Sequence, residues 1–385
     1  MRERGRRVNQ YAEMRAVAVV PATGMLRLVD RPEAPVLGPT ETRVRVLDVG
    51  VCGTDREIAC AHYGTPPVGR AELIMGHEAL GQVVEIGARV AKLRPGDLVV
   101  PTVRRPCAHP ECTACRAKRP DFCASGDYSE CGVLRTDGFL IEQFVEEEEY
   151  LHAVPGDLRQ VGVLVEPLSL AEKAIAQYWN IQSRLSWLGR EQAPTLNAVV
   201  LGAGPVGLLG CMVLVSHGFR TTVVSRGDGP DPRSNFAESI GATFLSADRH
   251  SPDEIAEQVG GIDLVYEATG ASALAFKMLE RLGTNGVFIL TGVPGRKAPV
   301  EVDSRRVMKN LVLKNQLVFA SVAAAQDDYL AAVRDLGAFQ QRWPDALGSF
   351  ISGRYPIENF RELLSCEAKD MKEVLSFEGA EEAFA

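Results

Sequence analysis

Apolar and polar residues alternate in short runs through the first 165 residues of the chain. Residues 44–49 alternate before a glycine, residues 81–87 have the pattern of a strand bounded by glycines, and residues 97–101 follow a Pro-Gly turn. Alternation with a period of two places one face of a strand against a core, and glycine and proline mark the turns between strands. The pattern therefore predicts a mainly β domain in this part of the chain.

The pattern changes after about residue 180. Four short apolar runs, at 198–201, 222–224, 264–266 and 287–290, are separated by segments of helix length. Apolar strands that alternate with helices are typical of a parallel sheet covered by helices on both faces. We therefore predict an α/β fold, in which a doubly wound parallel sheet follows the β domain.

The composition is that of a globular protein with an excess of acidic residues. Hydrophobic residues make up 46% of the 385 residues, and the formal net charge is −8. Binding of nucleic acid requires a basic surface, so this class of partner is not expected. The arginines near the N-terminus are not followed by an apolar run, so neither a signal peptide nor a membrane span is expected. These features favour a cytoplasmic enzyme that acts on a small molecule.

Four of the nine cysteines stand close together, at Cys107, Cys112, Cys115 and Cys123. Four thiolates complete the tetrahedral shell of a structural zinc ion, and their clustering is costly without a metal. The odd number of cysteines, in a chain without a secretory signal, favours metal ligation over a disulfide framework. We expect a closed zinc lobe at about residues 104–126. The alternatives are competition from His109 as a ligand and no metal at all.

A glycine-rich turn follows the apolar run at 198–201, and its predicted cofactor-binding residues are Gly202, Gly204, Pro205, Val206 and Gly207. The first glycine allows a tight turn, and the second lets the backbone approach a pyrophosphate. The third lets the following helix pack against the strand. Free N–H groups at the start of that helix attract phosphates. We therefore predict that this turn binds a dinucleotide.

The end of the second parallel strand indicates which dinucleotide is bound. That strand ends in Ser225 and Arg226, without the carboxylate that would bind the ribose 2′-hydroxyl of NAD. Because an arginine there suits a 2′-phosphate, both residues are predicted to bind NADP. Asp228 keeps NAD as the alternative, and the plainest interpretation of Arg226 is an ordinary surface residue. Gly292, after the fourth apolar run, is also predicted to contact the cofactor.

Several further motifs occur in a recognisable order: Cys52-Gly53-Thr54-Asp55, Gly76-His77-Glu78, Arg119-Pro120-Asp121-Phe122-Cys123, Asp137-Gly138-Phe139 and Glu166-Pro167-Leu168-Ser169. Together with the cysteine lobe and the glycine-rich turn, they resemble the zinc-dependent medium-chain alcohol dehydrogenase superfamily. Within it, the glucose 1-dehydrogenase branch is the most similar. The resemblance implies a GroES-like β-rich catalytic domain and a Rossmann domain.

The resemblance also implies a division of the chain into an N-terminal extension (1–13), the GroES-like catalytic domain (14–180), the Rossmann domain (181–319) and a C-terminal return to the catalytic domain (320–385). Members of the superfamily commonly form dimers or tetramers through an edge of the Rossmann sheet. A homodimer or homotetramer is therefore expected. We predict that residues 284–292 and 300–302 form that edge.

By the same resemblance, a second, catalytic zinc is bound by Cys52, His77 and Glu166, with Glu78 beside them as a direct or alternating ligand. One thiolate, one imidazole and carboxylates suit zinc and leave a position for a substrate oxygen. Each residue alone has a plainer interpretation, such as a buried cysteine or a carboxylate at a helix N-terminus. Two other classes remain open: a quinone or enoyl reductase would lack these ligands, and a regulatory nucleotide-binding module would retain only the closed lobe.

The chemistry implied by the resemblance is hydride transfer from an alcohol to the nicotinamide ring, with zinc acting as a Lewis acid on the substrate hydroxyl. Thr54 resembles the hydroxyl that begins the proton relay of the family. Glu57 stands where such a relay would reach solvent. We therefore expect Thr54 and Glu57 to be catalytic.

The residues expected to contact the substrate are Thr54, Val103, Glu130 and Ala323. Glu130 matches the glutamate with which the family contacts sugars. Val103 and Ala323 stand where sugar-oxidising relatives tend to carry asparagine, and each lost amide would leave a sugar hydroxyl without a partner, at a cost of about 1–3 kcal/mol. The first expectation is oxidation of a sugar or polyol, as in glucose 1-dehydrogenases. The alternative is a secondary-alcohol dehydrogenase that acts on a modified sugar, cyclitol or other biosynthetic intermediate.

Overall fold

The computed structural model describes residues 13–32, 37–227, 230–295, 299–365 and 371–378, so Asp228 and nearly all of the predicted N-terminal extension lie outside the described residues. The first part of the chain forms strands joined by turns and two short helices. These elements are β1 (Glu13–Val20), β2 (Met25–Pro32), β3 (Glu41–Gly50), α1 (Gly53–Ala59), β4 (Leu73–Ile74), β5 (Glu78–Ile86), β6 (Leu98–Pro101), β7 (Arg104–Arg105), α2 (Thr113–Arg116), β8 (Ser129–Cys131), β9 (Arg135–Thr136), β10 (Gln143–Glu147) and β11 (Leu151–Val154).

The second part alternates strands and helices after a long, largely buried helix. Its elements are α3 (Val165–Gln182), β12 (Asn197–Leu201), α4 (Pro205–Ser216), β13 (Arg220–Ser225), α5 (Pro232–Ser239), β14 (Thr243–Ser246), α6 (Pro252–Val259), β15 (Ile262–Glu267), α7 (Ser272–Leu279), β16 (Leu282–Leu290), α8 (Ser304–Leu313) and β17 (Leu317–Ala320). The last elements are α9 (Gln326–Arg342), α10 (Pro344–Phe350), β18 (Ile351–Pro356), α11 (Phe360–Leu363) and β19 (Lys372–Ser376). Among the described helices, none has the length and apolarity needed to cross a membrane.

Six strands form one parallel sheet in the order β14-β13-β12-β15-β16-β17. Each neighbouring pair runs parallel, and the order of connection reverses between β12 and β15. Ligands bind at such a reversal because the loops that follow the two strands diverge there. The glycine-rich turn follows β12 and lies at this point. The predicted α/β fold class is confirmed.

A seven-stranded sheet joins the two ends of the chain. Its path is β11-β6-β5-β3-β19-β18, and β10 also pairs with β3. At the end of β3, Gly50 pairs with Val374 of β19 on one side and with Glu78 of β5 on the other. Three segments that are distant in the sequence therefore meet immediately before Cys52.

Helix α3 connects the two sheets through the largest apolar cluster. This cluster contains Leu80 of β5, Leu168 of α3, Val200 of β12 and Phe339 of α9, all of which are buried. Complete burial of such a side chain contributes about 1.5–3 kcal/mol. The position of α3, and of any group on it, is therefore determined by packing against both sheets.

The predicted edge of the parallel sheet is wrong. β16 covers most of residues 284–292, but it lies between β15 and β17, and β17 is the outer strand. Residues 300–302 form no strand and lead into α8. The run at 287–290 is continuously apolar because both faces of this strand are buried, with Val287 and Ile289 in one apolar cluster and Phe288 in another, whereas β17 alternates between half-buried and exposed positions.

Candidate active site

The four-cysteine lobe is a compact loop between β7 and β8. The four sulfur atoms of Cys107, Cys112, Cys115 and Cys123 lie within 4.8 Å of one another. The distance between sulfurs is 3.7 Å for Cys107 and Cys115, and 3.9 Å for Cys112 and Cys123. Thiolates that bind a tetrahedral zinc ion at about 2.3 Å lie about 3.8 Å apart. The four sulfurs therefore fit this ion, and His109 pairs instead with Asp127 at 2.5 Å.

The surroundings of the lobe shift the pKa values of two of its cysteines in opposite directions. Backbone N–H groups of Cys115 and Ala124 lower the pKa of Cys112 to about 6. Desolvation raises the pKa of Cys115 to about 12. Thiols must lose their protons to bind a metal, so binding to this lobe releases protons.

A second group of potential ligands forms where β3, α1 and β5 meet. One ligand atom from each of Cys52, His77 and Glu78 lies within 4.8 Å of the others. Cys52 caps the start of α1, while His77 and Glu78 are buried at the start of β5. A thiolate, an imidazole and a carboxylate are a donor set that suits zinc. The residues present therefore fit a catalytic zinc ion.

Asp55 supports this group, although the sequence interpretation assigned it no role. Its Oδ2 accepts a hydrogen bond of 2.9 Å from the backbone N–H of Cys52, and its Oδ1 lies 3.3 Å from His77 Nδ1. Burial alone would lower the pKa of His77, but the Asp55 carboxylate outweighs this effect and raises it. A carboxylate behind a ligating histidine orients the ring. Its position three residues after Cys52, in the first turn of a short helix, was the signal available in the sequence.

Lys372 is a second residue that sequence reasoning missed. Its ammonium group forms an ion pair with Glu78 Oε2 and donates a hydrogen bond of 3.2 Å to the carbonyl oxygen of Val51. Both charged side chains are buried. Lys372 lies 294 positions after Glu78, so no local pattern indicates the pair. The structure therefore places a cation directly behind one of the predicted ligands.

Glu166 faces the same site from the first turn of α3. It is buried, and burial raises its pKa to about 8. The nearby charge of His77 lowers this pKa, and that of Glu78 raises it. Its carboxylate is not part of the compact set formed by Cys52, His77 and Glu78. The structure thus brings three of the four predicted ligands close together and places the fourth nearby.

The two predicted proton-relay residues lie on α1. Thr54 is half-buried, two residues after Cys52, and Glu57 is exposed one turn further along. A Cβ atom at Gly295 would lie 4.0 Å from Glu57 Oε1. Glu57 therefore stands beside the loop that follows β16, which also contains Gly292.

Glu130 is held by Arg104 in a buried ion pair. Its Oε1 accepts hydrogen bonds from Arg104 Nε at 2.9 Å and Nη2 at 2.8 Å. The guanidinium group also lies 3.8 Å from the ring centroid of Tyr128. Both bonds use one carboxylate oxygen, which orients the carboxylate of Glu130.

The two positions that lack the expected asparagine lie in different surroundings. Val103 is buried, and its backbone N–H donates to Tyr329 Oη at 3.3 Å. Ala323 is half-buried in the loop after β17, with a φ of 53°. Asparagine adopts this left-handed conformation more readily than alanine. The backbone at Ala323 is therefore compatible with the missing amide.

The glycine-rich turn has the geometry that dinucleotide binding requires. Gly202 has a φ of 104°, and a Cβ there would lie 2.5 Å from the Thr269 methyl group. Gly204 caps α4 and has no atom within 4 Å of the position of a Cβ, so space remains in front of the helix. A Cβ at Gly207 would collide with the carbonyl oxygen of Gly202. Pro205 and Val206 form the first residues of α4.

The remaining predicted cofactor residues lie at the carboxyl ends of two other strands of the parallel sheet, β13 and β16. Ser225 ends β13 and Arg226 follows it as an exposed residue. Gly292 follows β16, and its N–H donates to the carbonyl oxygen of Glu267 at 3.2 Å. Asp248 accepts a hydrogen bond of 2.8 Å from the N–H of Gly227, which places a carboxylate near Arg226. The sequence interpretation did not identify Asp248.

The chain matches two family models along most of its length. The model of the alcohol dehydrogenase GroES-like domain matches residues 38–156. The model described as the glucose dehydrogenase C-terminus matches residues 159–377. The two matches together include both candidate metal sites and the glycine-rich turn.

Similar proteins of known identity support the same family. The glucose 1-dehydrogenase of Methanocella arvoryzae is 38% identical over 360 residues, which cover 93% of this chain and 98% of that protein. The glucose 1-dehydrogenase of Thermoproteus tenax is also 38% identical, with coverage of 94% and 99%. The solved structure of Haloferax mediterranei glucose dehydrogenase in complex with NADP, Zn and gluconolactone superposes with a TM-score of 0.85 at 31% identity, and covers 95% of this chain and 100% of that one. The chain therefore belongs to the glucose dehydrogenase branch of the zinc-dependent medium-chain alcohol dehydrogenase superfamily, a group of NAD(P)-linked oxidoreductases.

Proposed function

We propose that this protein oxidises a hydroxyl group of a sugar or polyol by hydride transfer to NADP⁺, in the manner of a glucose 1-dehydrogenase. The compact group of Cys52, His77 and Glu78 is the observation that carries the proposal. The substrate would bind in a cleft between this group and the cofactor turn. A small substrate held between the two is therefore close to a metal and a nicotinamide at once.

The catalytic metal would be held by Cys52 and His77, with Glu166 and Glu78 as the carboxylate ligands. A bound zinc ion supplies Lewis-acid polarisation of the substrate hydroxyl. Asp55 orients His77 from behind. Lys372 balances the charge of Glu78 and limits where this carboxylate can move. The closed four-cysteine lobe would hold the second zinc, which has a structural role.

The proton leaves through groups on α1. The Thr54 hydroxyl accepts the proton of the substrate hydroxyl and passes its own proton onward. The exposed carboxylate of Glu57 receives protons near solvent. A relay of this kind contributes roughly 10²-fold to 10⁴-fold to the rate.

The cofactor binds along the carboxyl ends of the parallel strands. The pyrophosphate lies at the start of α4, where Gly204 leaves space and backbone N–H groups are free. Ser225 and Arg226 contact the 2′-phosphate, which favours NADP over NAD. Gly292 contacts the nicotinamide half of the cofactor from the loop after β16.

Glu130 contacts sugar hydroxyls with the carboxylate oxygen that Arg104 leaves free. Val103 and Ala323 favour a second candidate function, because neither side chain can pair with a hydroxyl. This candidate is a secondary-alcohol dehydrogenase for a modified sugar, cyclitol or other biosynthetic intermediate. Fewer hydroxyl groups on the substrate would then match the two apolar positions.

We also propose the domain division predicted above, with the catalytic domain formed by both ends of the chain. A homodimer or homotetramer would form through β17, because the outer strand has unpaired backbone groups. Large apolar side chains lie exposed nearby, at Met308, Val312, Leu313 and Val318. An exposed apolar patch beside a sheet edge is typical of a protein interface. A cytoplasmic location remains a prediction from the sequence.

The decisive experiment measures initial rates of nicotinamide reduction by the zinc-loaded protein. NADP⁺ and NAD⁺ are compared with aldoses, deoxy and amino sugars, and cyclitols. A kcat/KM above about 10⁴ M⁻¹s⁻¹ for glucose supports aldose oxidation. Activity confined to a modified sugar or cyclitol supports the second candidate, and no activity on any sugar or polyol contradicts both. In the second case Ala323→Asn should raise kcat/KM for glucose by about 10-fold, because it restores one hydrogen-bond partner.

A further inference from the structure

Lys173 is a buried cation outside the two metal groups and the cofactor turn. Its side chain is 2% exposed. The ammonium group lies 2.8 Å from Asp121 Oδ2 and donates a hydrogen bond of 2.9 Å to the carbonyl oxygen of Val322. It also lies 4.4 Å from the ring centroid of Phe122. A buried ammonium group is costly unless it is paired, so these partners determine its position.

The first partner belongs to the four-cysteine lobe. Asp121 and Phe122 immediately precede Cys123, in the motif Arg119-Pro120-Asp121-Phe122-Cys123. Arg119 donates two hydrogen bonds to the same carboxylate, of 2.8 Å from Nε and 2.5 Å from Nη2. The carboxylate that Lys173 contacts is therefore fixed relative to the last cysteine of the lobe.

The second partner belongs to the loop between β17 and α9. Val322 directly precedes Ala323, which is expected to line the substrate site. The other end of this loop is held by Asp328, whose Oδ2 accepts a hydrogen bond of 2.8 Å from the backbone N–H of Ala325. At the near end of the loop, the Lys173 side chain donates the hydrogen bond that the Val322 carbonyl oxygen accepts.

Lys173 itself lies on α3, seven residues after Glu166. Seven residues are about two helical turns, so the two side chains lie on the same face of the helix. One ammonium group on α3 thus contacts both the four-cysteine lobe and the loop at residues 321–325, which we call the substrate loop. The same helix carries Glu166.

We propose that Lys173 is a positioning residue through which the four-cysteine lobe sets the place of the Val322–Ala323 backbone relative to Glu166. The lobe then has a second role beyond stabilising its own loop, because it determines the shape of the substrate side of the cleft. The expected effect is larger on substrate binding than on cofactor binding, because Val322 lines the same pocket as Gly292 but lies away from the glycine-rich turn that holds the pyrophosphate. The inference rests on the proposed function for its kinetic assay but not for its structural assay.

The test compares Lys173→Met, the double variant Lys173→Met/Asp121→Asn, and the control Lys277→Met, which makes the same change at an exposed lysine of α7. The single variant leaves the Asp121 carboxylate with Arg119 alone and should have a lower Tm. The double variant removes both buried charges and should recover most of that Tm. Both should raise KM for the sugar or polyol roughly 10-fold, with a smaller rise in KM for NADP⁺, because small displacements in a substrate site have large effects.

Hydrogen exchange provides a readout that does not depend on activity. Amides of residues 321–325 should exchange faster in both Lys173 variants than in the wild type or the control, while both zinc ions are retained. If the double variant has the exchange rates or the substrate KM of the wild type, Lys173 only neutralises Asp121 and the proposal is wrong. If the wild type oxidises no sugar or polyol, the proposed function fails, and the exchange comparison still decides whether Lys173 orders this loop.

Discussion

The two candidate metal sites are built in opposite ways. The closed lobe takes all four sulfurs from one stretch, residues 107–123, and short turns bring them within 4.8 Å. The open site takes Cys52 from the start of α1, His77 and Glu78 from the start of β5, and Glu166 from α3. Its charges are balanced by Lys372 from the last strand. One site depends on local geometry, and the other depends on a completed tertiary structure.

Because the two metal sites are built differently, we expect the protein to respond differently to substitutions in each of them. Loss of a lobe cysteine disturbs a loop that the chain forms locally, and the sheets can persist without it. Loss of a group in the open site leaves other buried polar groups without partners, because Asp55, Lys372 and Glu166 are all buried there. Substitutions in the open site should therefore lower both activity and stability, whereas substitutions in the lobe should lower stability and leave kcat nearly unchanged.

The largest effect is expected for His77→Ala. Removal of the imidazole should abolish catalytic zinc binding and lower kcat/KM by about 10³-fold or more, because Lewis-acid assistance is worth several kcal/mol. Steady-state kinetics and metal analysis by mass spectrometry check the result. One zinc ion per chain should remain, in the lobe. Retention of two zinc ions with full activity would show that His77 is not a ligand.

The matched change in the lobe is Cys115→Ser. It should remove the structural zinc and lower the free energy of unfolding by about 4 kcal/mol, as is typical for loss of a metal. At temperatures below unfolding, kcat should stay close to that of the wild type, while KM for the substrate should rise because the lobe positions the Val322–Ala323 backbone through Lys173. Denaturant titration measures the free energy of unfolding, metal analysis counts the zinc ions, and steady-state kinetics measure kcat and KM. A loss of kcat as large as that of His77→Ala would contradict the assignment of separate roles.

Lys372→Met tests the long-range support of the open site. The substitution leaves the Glu78 carboxylate buried without its cation, which costs about 3–5 kcal/mol when one partner of a buried pair is removed. The free energy of unfolding from denaturant titration should fall accordingly. Lys118→Met is the control, because its partner Glu149 and Lys118 itself are exposed. Equal effects of the two substitutions would contradict the importance of burial.

The smallest expected effect is on the pH dependence of stability. It comes from Glu172 on α3, the helix that also carries Glu166 and Lys173. Burial raises the pKa of Glu172 to about 8, and the carboxyl group of Asp335 adds to this shift. The folded protein thus keeps a proton that the unfolded chain releases above about pH 4.5. Stability should therefore decrease as the pH rises from about 4.5 to 8 and change little from this group above that range.

Glu172→Gln should remove that part of the pH dependence. The variant should be more stable than the wild type at pH 8 by about 1–2 kcal/mol, with little difference at pH 4.5. Thermal unfolding across this pH range measures the difference. Parallel stability curves for the two proteins would mean that Glu172 is ionised in the folded state at neutral pH.

Local motifs predicted much of this protein. The lobe cysteines, the glycine-rich turn and the alternation of strands and helices are all short-range patterns, and the structure has each of them. The sheet edge was predicted wrongly because an apolar run indicates burial but not which neighbours bury it. The prediction that Cys52, His77 and Glu166 lie together came from the resemblance to a family and not from their spacing in the sequence.

The residues that sequence reasoning missed all act over long distances or through unremarkable side chains. Asp55 gave only a weak local signal, and Lys372 and Lys173 looked like ordinary lysines. Burial turns a common surface residue into a specific ion pair, and burial is a property of the fold.

The sequence by itself determined the α/β class, the closed cysteine lobe and the dinucleotide turn, because each depends on the order of residues within a few positions. Only the tertiary structure decided that Lys372 pairs with Glu78, that Arg104 orients Glu130, and that Lys173 joins the lobe to the substrate loop. Those pairs depend on which strands and helices become neighbours. Folding brings together residues that are from 26 to 294 positions apart, so no local pattern encodes these pairs.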